Sequence, residues 1–206
     1  MKRVDWQKIF WVADDYKKSK EKAFSVIRNY ITWEPKTILD IGCGPAITSG
    51  LLQKEYGSNL YLLEGAKGSN QNGTRETRFG SVDSMCFYSS VNWLKDYWDD
   101  RDLDYTFLDA NDLNISEDLK FDLIMSLESC GFNYPLDTYK NIYFDNSLPQ
   151  TYFIFDLRKS RNQGDIEYNI IEKIGYNIKL DMVVLDINRD LRRDRLWHLI
   201  KYGEFI

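Results

Sequence analysis

Residues 37–64 constrain the fold more than any other part of this chain. Thr37-Ile38-Leu39-Asp40-Ile41 is a short apolar run of strand type, and Gly42-Cys43-Gly44-Pro45-Ala46 is a tight turn. Ile47, Leu51 and Leu52 then share one helical face, on a helix that begins near Pro45. Gly57 closes that helix, and residues 59–63 read as a second strand that ends at Glu64-Gly65. Strand, turn, helix and strand in succession make the unit of a parallel sheet, because parallel neighbours need a crossover long enough to hold a helix.

The rest of the chain extends that unit. Asp5 caps a first helix on which Trp6, Ile9, Phe10 and Ala13 form one face. A second helix is predicted over residues 17–30, with Ala23, Phe24, Ile27, Tyr30 and Ile31 inward and Lys17, Lys18, Lys20 and Lys22 in water. Further strands are expected at 105–108, ending at Asp109, and at 121–126 and 151–156. Helices are expected at 92–98, 136–144 and 165–174. Segments 176–186 and 195–203 read as strands joined by a turn, which makes an antiparallel hairpin. The polar, glycine-rich stretch 66–80 reads as a long loop or a lid. The expected fold is α/β and Rossmann-like: a mostly parallel seven-stranded sheet with helices on both faces and a C-terminal antiparallel hairpin. One domain spans residues 1–206, with N-terminal helices at about 5–31.

Composition narrows the function classes. With 43% hydrophobic and 29% charged residues the chain can build a core and a wet surface. A net charge of -5 disfavours a general nucleic-acid binder, which needs a basic face. Cys43, Cys86 and Cys130 lack metal-ligand spacing, so no metal is expected. The opening Met1-Lys2-Arg3 leads into a charged segment and no apolar run reaches membrane length, so the expected setting is the cytoplasm, with reduced thiols. Trp6 and Trp11 on the first helix are available to cover a cleft or a partner, and an oligomer stays open.

The chemistry-bearing residues fall at strand ends, where open parallel sheets bind ligands. Gly42 and Gly44 permit a tight turn and close backbone approach. Glu64 ends the second strand, where a carboxylate can accept bonds from both hydroxyls of a ribose. Asp109 ends the third and can take an adenine amino proton, with the Ala110 N–H facing a ring nitrogen. Asp40 suits a cationic ligand group better than a phosphate. The turn departs from the dinucleotide fingerprint G-x-G-x-x-G/A, because Ile47 stands at its last position.

In this arrangement the chain resembles the class I S-adenosylmethionine-dependent methyltransferases. Residues 38–46 resemble their glycine-rich first motif, Glu64 their ribose-binding acid and Asp109 their acid near adenine. The terminal hairpin resembles their last antiparallel strand. The resemblance implies S-adenosyl-L-methionine as cofactor, held by Asp40, Gly42, Gly44, Glu64, Asp109, Ala110 and Ser126, and a small-molecule acceptor. Residues 85–90 and 129–135 are similar to segments of small-molecule methyltransferases, including some that act on sugar hydroxyls. Those relatives often carry His where Asn133 stands, and Asn cannot act as a general base. Glu128 is then the best candidate base, and Asn133, Tyr134 and Tyr88 are candidates for positioning the acceptor; packing or capping is the alternative for each. His198, the single histidine, suits a structural position at a sheet edge. Alternatives to small-molecule methylation are RNA or protein methylation and cofactor binding without turnover.

Overall fold

The computed structural model describes residues 3–65, 91–110, 112–130, 136–158, 180–185 and 195–202. Its strands are β1 (Thr37–Ile41), β2 (Asn59–Glu64), β3 (Tyr105–Asp109), β4 (Phe121–Ser126), β5 (Ser147–Arg158), β6 (Leu180–Leu185) and β7 (Arg195–Tyr202). They form one seven-stranded sheet in the order β3-β2-β1-β4-β5-β7-β6. The first five pair in parallel, while β7 runs antiparallel to both β5 and β6. The Rossmann-like sheet and its terminal hairpin are therefore as expected. His198 is placed differently from expectation: its strand lies between β5 and β6, and the edge belongs to β6.

Helices are α1 (Arg3–Val12), α2 (Asp14–Tyr30), α3 (Ile47–Tyr56), α4 (Val91–Asp99) and α5 (Lys140–Asp145). A 3-10 turn, Leu136–Tyr139, precedes α5, so the single helix expected at 136–144 is split. α2 begins three residues earlier than its lysine pattern suggests. Asp14 and Asp15 occupy its first turn, where negative charge complements the helix dipole. β5 begins four residues before the expected strand. Pro149 lies in that extension, and the register with β4 shifts between Phe121 and Leu123, an irregularity that suits a residue with no N–H for the ladder. The segments expected at 66–80 and 165–174 lie outside the described residues. Among the described residues, no helix is long and apolar enough to cross a membrane.

Strand alternation builds two apolar layers. Ile38, Leu60, Leu62, Leu123, Met125 and Ile154 face one side, where Ala23 and Ile27 of α2, Leu52 of α3 and Leu94 and Trp98 of α4 cover them. Leu39, Ile41, Leu63, Ile124, Phe153 and Phe155 face the other, against Ile142 and Tyr143 of α5. Both layers leave the carboxyl ends of β1, β2, β3 and β4 aligned at one rim. Lys36 N–H and Thr37 N–H both donate to Asp122 Oδ2, at 2.8 and 3.0 Å, which locks the start of β1 to β4.

Asp122→Ala removes the acceptor for two backbone donors at once. It should lower unfolding free energy by about 2 kcal/mol in urea titration, while Asp122→Asn, which keeps an oxygen there, should cost roughly half as much. Equal losses from the two variants would contradict this role.

Candidate functional site

The chain turns as soon as β1 ends. Gly42 and Gly44 have φ of +64° and +49°, left-handed values that favour glycine. Gly42 N–H donates to Leu63 O at 2.8 Å, which carries the β1–β2 ladder past the strand. A Cβ at Gly42 would lie 1.9 Å from Ser129 Oγ, so this glycine lets the loop after β4 rest directly on the loop after β1. Ser126 fastens the same two loops. Its hydroxyl donates to Ile41 O at 2.9 Å and accepts from Cys130 N–H at 2.8 Å. Both of these bonds join the Ser126 hydroxyl to the protein's own backbone.

Gly44 is gripped from several directions. Its N–H donates to Glu64 Oε2 at 3.1 Å, and its carbonyl accepts from Trp98 Nε1 at 2.9 Å. The ring of Trp11 stands 3.4 Å from where a Gly44 Cβ would be, and it stacks on Trp93 with centroids 6.1 Å apart. Trp11 of α1 thus covers the glycine turn; the side chain of Trp6 lies outside the described residues. Arg101 Nη1 donates to Pro45 O at 2.9 Å. Helix α3 starts at Ile47 rather than near Pro45, because Ala46 takes a left-handed φ of 50° as its N-cap.

Glu64 Oε1 accepts the Gly65 N–H at 3.1 Å, so each carboxylate oxygen holds one backbone donor. Glu64 is buried, and burial raises its carboxyl pKa while the two N–H bonds oppose that rise. Across the sheet Glu64 pairs in register with Asp109, which is half-buried. The Ala110 N–H, expected to face an adenine ring, instead donates to Glu64 O at 3.0 Å and continues the β2–β3 ladder.

Asp40 points into a recess lined by Tyr16, Lys20, Asp40, Cys43, Ala46, Ile47, Thr48 and Leu127. It is 5% exposed, and its Oδ2 accepts from Ser49 Oγ at 2.5 Å. Burial pushes its carboxyl up to about 7, with Ser49 and Lys20 pulling the other way. Burial also pushes the Tyr16 phenol to about 12 and raises the Cys43 thiol.

Lys20 is the main surprise. It was expected in water but is 5% exposed, with its Nζ 3.1 Å from Glu128 Oε1 and 5.0 Å from the Tyr16 ring centre. The candidate base Glu128 therefore carries an ammonium on its Oε1. Tyr88, Asn133 and Tyr134 lie outside the described residues. The sequence reading missed Lys20, Ser49 and Trp98. For Lys20 a signal existed: Tyr16, Lys20, Ala23, Ile27 and Ile31 follow one helical stripe. Among the described residues, no group of three or more His, Cys, Asp or Glu gathers to hold a metal ion.

The sheet runs β3-β2-β1-β4-β5-β7-β6, with β7 antiparallel to both its neighbours. Solved methyltransferase structures share this fold. A methyltransferase from Aquifex aeolicus, described as S-adenosylmethionine-dependent, superposes with a TM-score of 0.61 at 14% identity, covering 95% of this chain and 97% of that one. A methyltransferase from Pyrococcus furiosus gives 0.58 at 13%, over 90% and 83% of the two chains. One from Clostridium acetobutylicum, also described as S-adenosylmethionine-dependent, gives 0.54 at 15%, over 95% and 94%. At such identities the likeness shows the fold. No protein family and no curated protein matches the sequence.

Two outcomes follow from this geometry. Gly42→Ala combines steric overlap with left-handed strain and should cost about 3 kcal/mol in urea titration. Adding Ser129→Gly should restore most of that loss, leaving roughly 1 kcal/mol of backbone strain; a single-variant loss near zero would contradict the contact. For Asp40, a folded-state pKa above the unfolded value means the native state binds the extra proton. Stability from this group is full below about pH 4 and falls as pH rises towards 7. Asp40→Asn should therefore gain Tm relative to the parent as pH goes from about 5 to 8, with roughly 2–4 °C per kcal/mol. A Tm difference independent of pH would show that Asp40 carries no such shift.

Proposed function

We propose that this chain, acting as one unit over its 206 residues, transfers the methyl group of S-adenosyl-L-methionine to a small polar acceptor. The observation that carries the reading is the state of Glu64. It is 8% exposed, lies between the glycine turn and Asp109, and gives one lone pair of each oxygen to a backbone N–H. A carboxylate has about four acceptor positions, so each oxygen keeps capacity for a ribose hydroxyl.

The other groups fit the rest of the molecule. Asp40 would face the ammonium of the methionine tail, and the turn at Gly42 and Gly44 would lie beside it. Asp109 would take the adenine amino group, without help from the Ala110 N–H. The acids Asp40, Glu64 and Asp109 together repel a pyrophosphate, which opposes a dinucleotide as ligand. When bound, the cofactor supplies a methyl group already activated for displacement. The protein's own share is alignment and exclusion of water: the Trp11–Gly44 contact covers the turn, and the Ser129–Gly42 contact closes the seam towards β4. With Glu128 ion-paired, alignment matters more here than proton removal, which suits an acceptor that arrives neutral and nucleophilic. The net charge of -5 opposes a polyanionic RNA substrate and supports the small acceptor.

Glu64→Gln keeps an acceptor oxygen for Gly44 but loses the charge. By calorimetry it should weaken S-adenosylhomocysteine binding by about tenfold or more, with Tm changed by only a few degrees. Unchanged affinity removes the ribose assignment.

A further inference from the structure

Glu128 has a backbone conformation that its own side chain does not favour. Its φ is +62°, a left-handed value that glycine or asparagine adopts far more readily than glutamate. Such strain persists where surrounding contacts over-determine it. The contact at hand comes from another part of the fold: Lys20 Nζ meets Glu128 Oε1 at 3.1 Å, with the two side chains 7% and 24% exposed. Lys20 is itself fixed in place. Its backbone carbonyl accepts Thr48 Oγ1 at 3.1 Å, which ties α2 to the first turn of α3. On either side of Glu128, Leu127 walls the Asp40 recess and Ser129 rests on Gly42.

We propose that Lys20 is a positioning residue: its ion pair with Glu128 holds the loop after β4 in its left-handed bend and thereby sets the wall of the ligand recess and the Ser129–Gly42 contact. Lys20 also lines the recess, but its effect on binding is exerted through Glu128. Loss of Lys20 removes the ammonium that draws the part-buried Glu128 carboxylate inward, so the strained bend at 128 relaxes and takes Leu127 and Ser129 with it. Helix α2 thus shapes the recess beside Asp40. The affinity part of this inference rests on the cofactor reading above; the loop geometry does not.

The test is a cycle of Lys20→Met, Lys20→Arg, Glu128→Gly and the Lys20→Met/Glu128→Gly double variant. Each is measured by S-adenosylhomocysteine calorimetry and by thermal unfolding. Lys20→Met should weaken binding by about tenfold and lower Tm, whereas Lys20→Arg should stay within about threefold of the parent. Glycine at 128 adopts the bend unaided and carries no charge to strand. The double variant should therefore return to within about threefold of Glu128→Gly alone and recover the lost Tm. If Lys20→Met binds like the parent, the proposal fails. If the double variant binds as weakly as Lys20→Met, Lys20 contacts the ligand directly and the positioning role is overturned. If the parent itself shows no binding, the cofactor reading falls. The positioning role is then decided on Tm alone, and a double variant no more stable than Lys20→Met rejects it.

Discussion

Gly44 donates its N–H to Glu64 Oε2 at 3.1 Å, and that contact draws the tip of β2 against the turn that leaves β1. The same glycine's carbonyl is taken by Trp98 of α4, so both polar groups of one residue are committed in opposite directions. The two glycines of the turn have no side chains to fix them, although Cys43 and Ala46 pack into the core beside them. The shape of the turn depends on these two bonds, on the Trp11 ring against Gly44 and on Arg101 at the Pro45 carbonyl. Two helices, the turn after α4 and the end of β2 therefore converge on a segment whose left-handed φ angles would otherwise leave it free to move.

Convergence brings buried charge with it. Asp40 and Glu64 both lie below a tenth exposure, and both carboxyls are raised by loss of solvent. Each has hydrogen-bond donors, yet desolvation outweighs them in both cases. The two acids repel each other as well, which Asp40 registers in the influence of Glu64 on it. Lys20 relieves part of the excess negative charge but is itself spoken for by Glu128.

Much of the fold was legible because strand alternation and glycine turns are local signals. β1 and β4 fall at the expected residues, β2 and β3 differ only at their ends, and the described parts of the hairpin, β6 and β7, lie within the expected segments. Where the reading slipped, a longer-range effect had intervened. Pro149 sits in β5 because the ladder shifts register there, and no local pattern announces that shift. Lys20 looks like one of four solvated lysines until its partner, 108 residues away, is in view. Ser126 and Ala110 stand at the strand tips as expected, but their polar groups close the sheet's own ladder and loop contacts. Position at a strand end was readable from sequence; whether a donor there is spare was not, because that depends on neighbours brought together only by folding.

The cluster of indoles around the glycine turn has a practical side. Trp98 is hydrogen-bonded to Gly44, Trp11 lies against it, and Trp93 stacks on Trp11. Indole emission responds to local polarity and to nearby quenching groups, and here the emitters sit on the glycine turn beside which the cofactor is proposed to lie. The protein carries its own optical probe, so occupancy of the crevice can be followed in solution without a label and without knowing the acceptor.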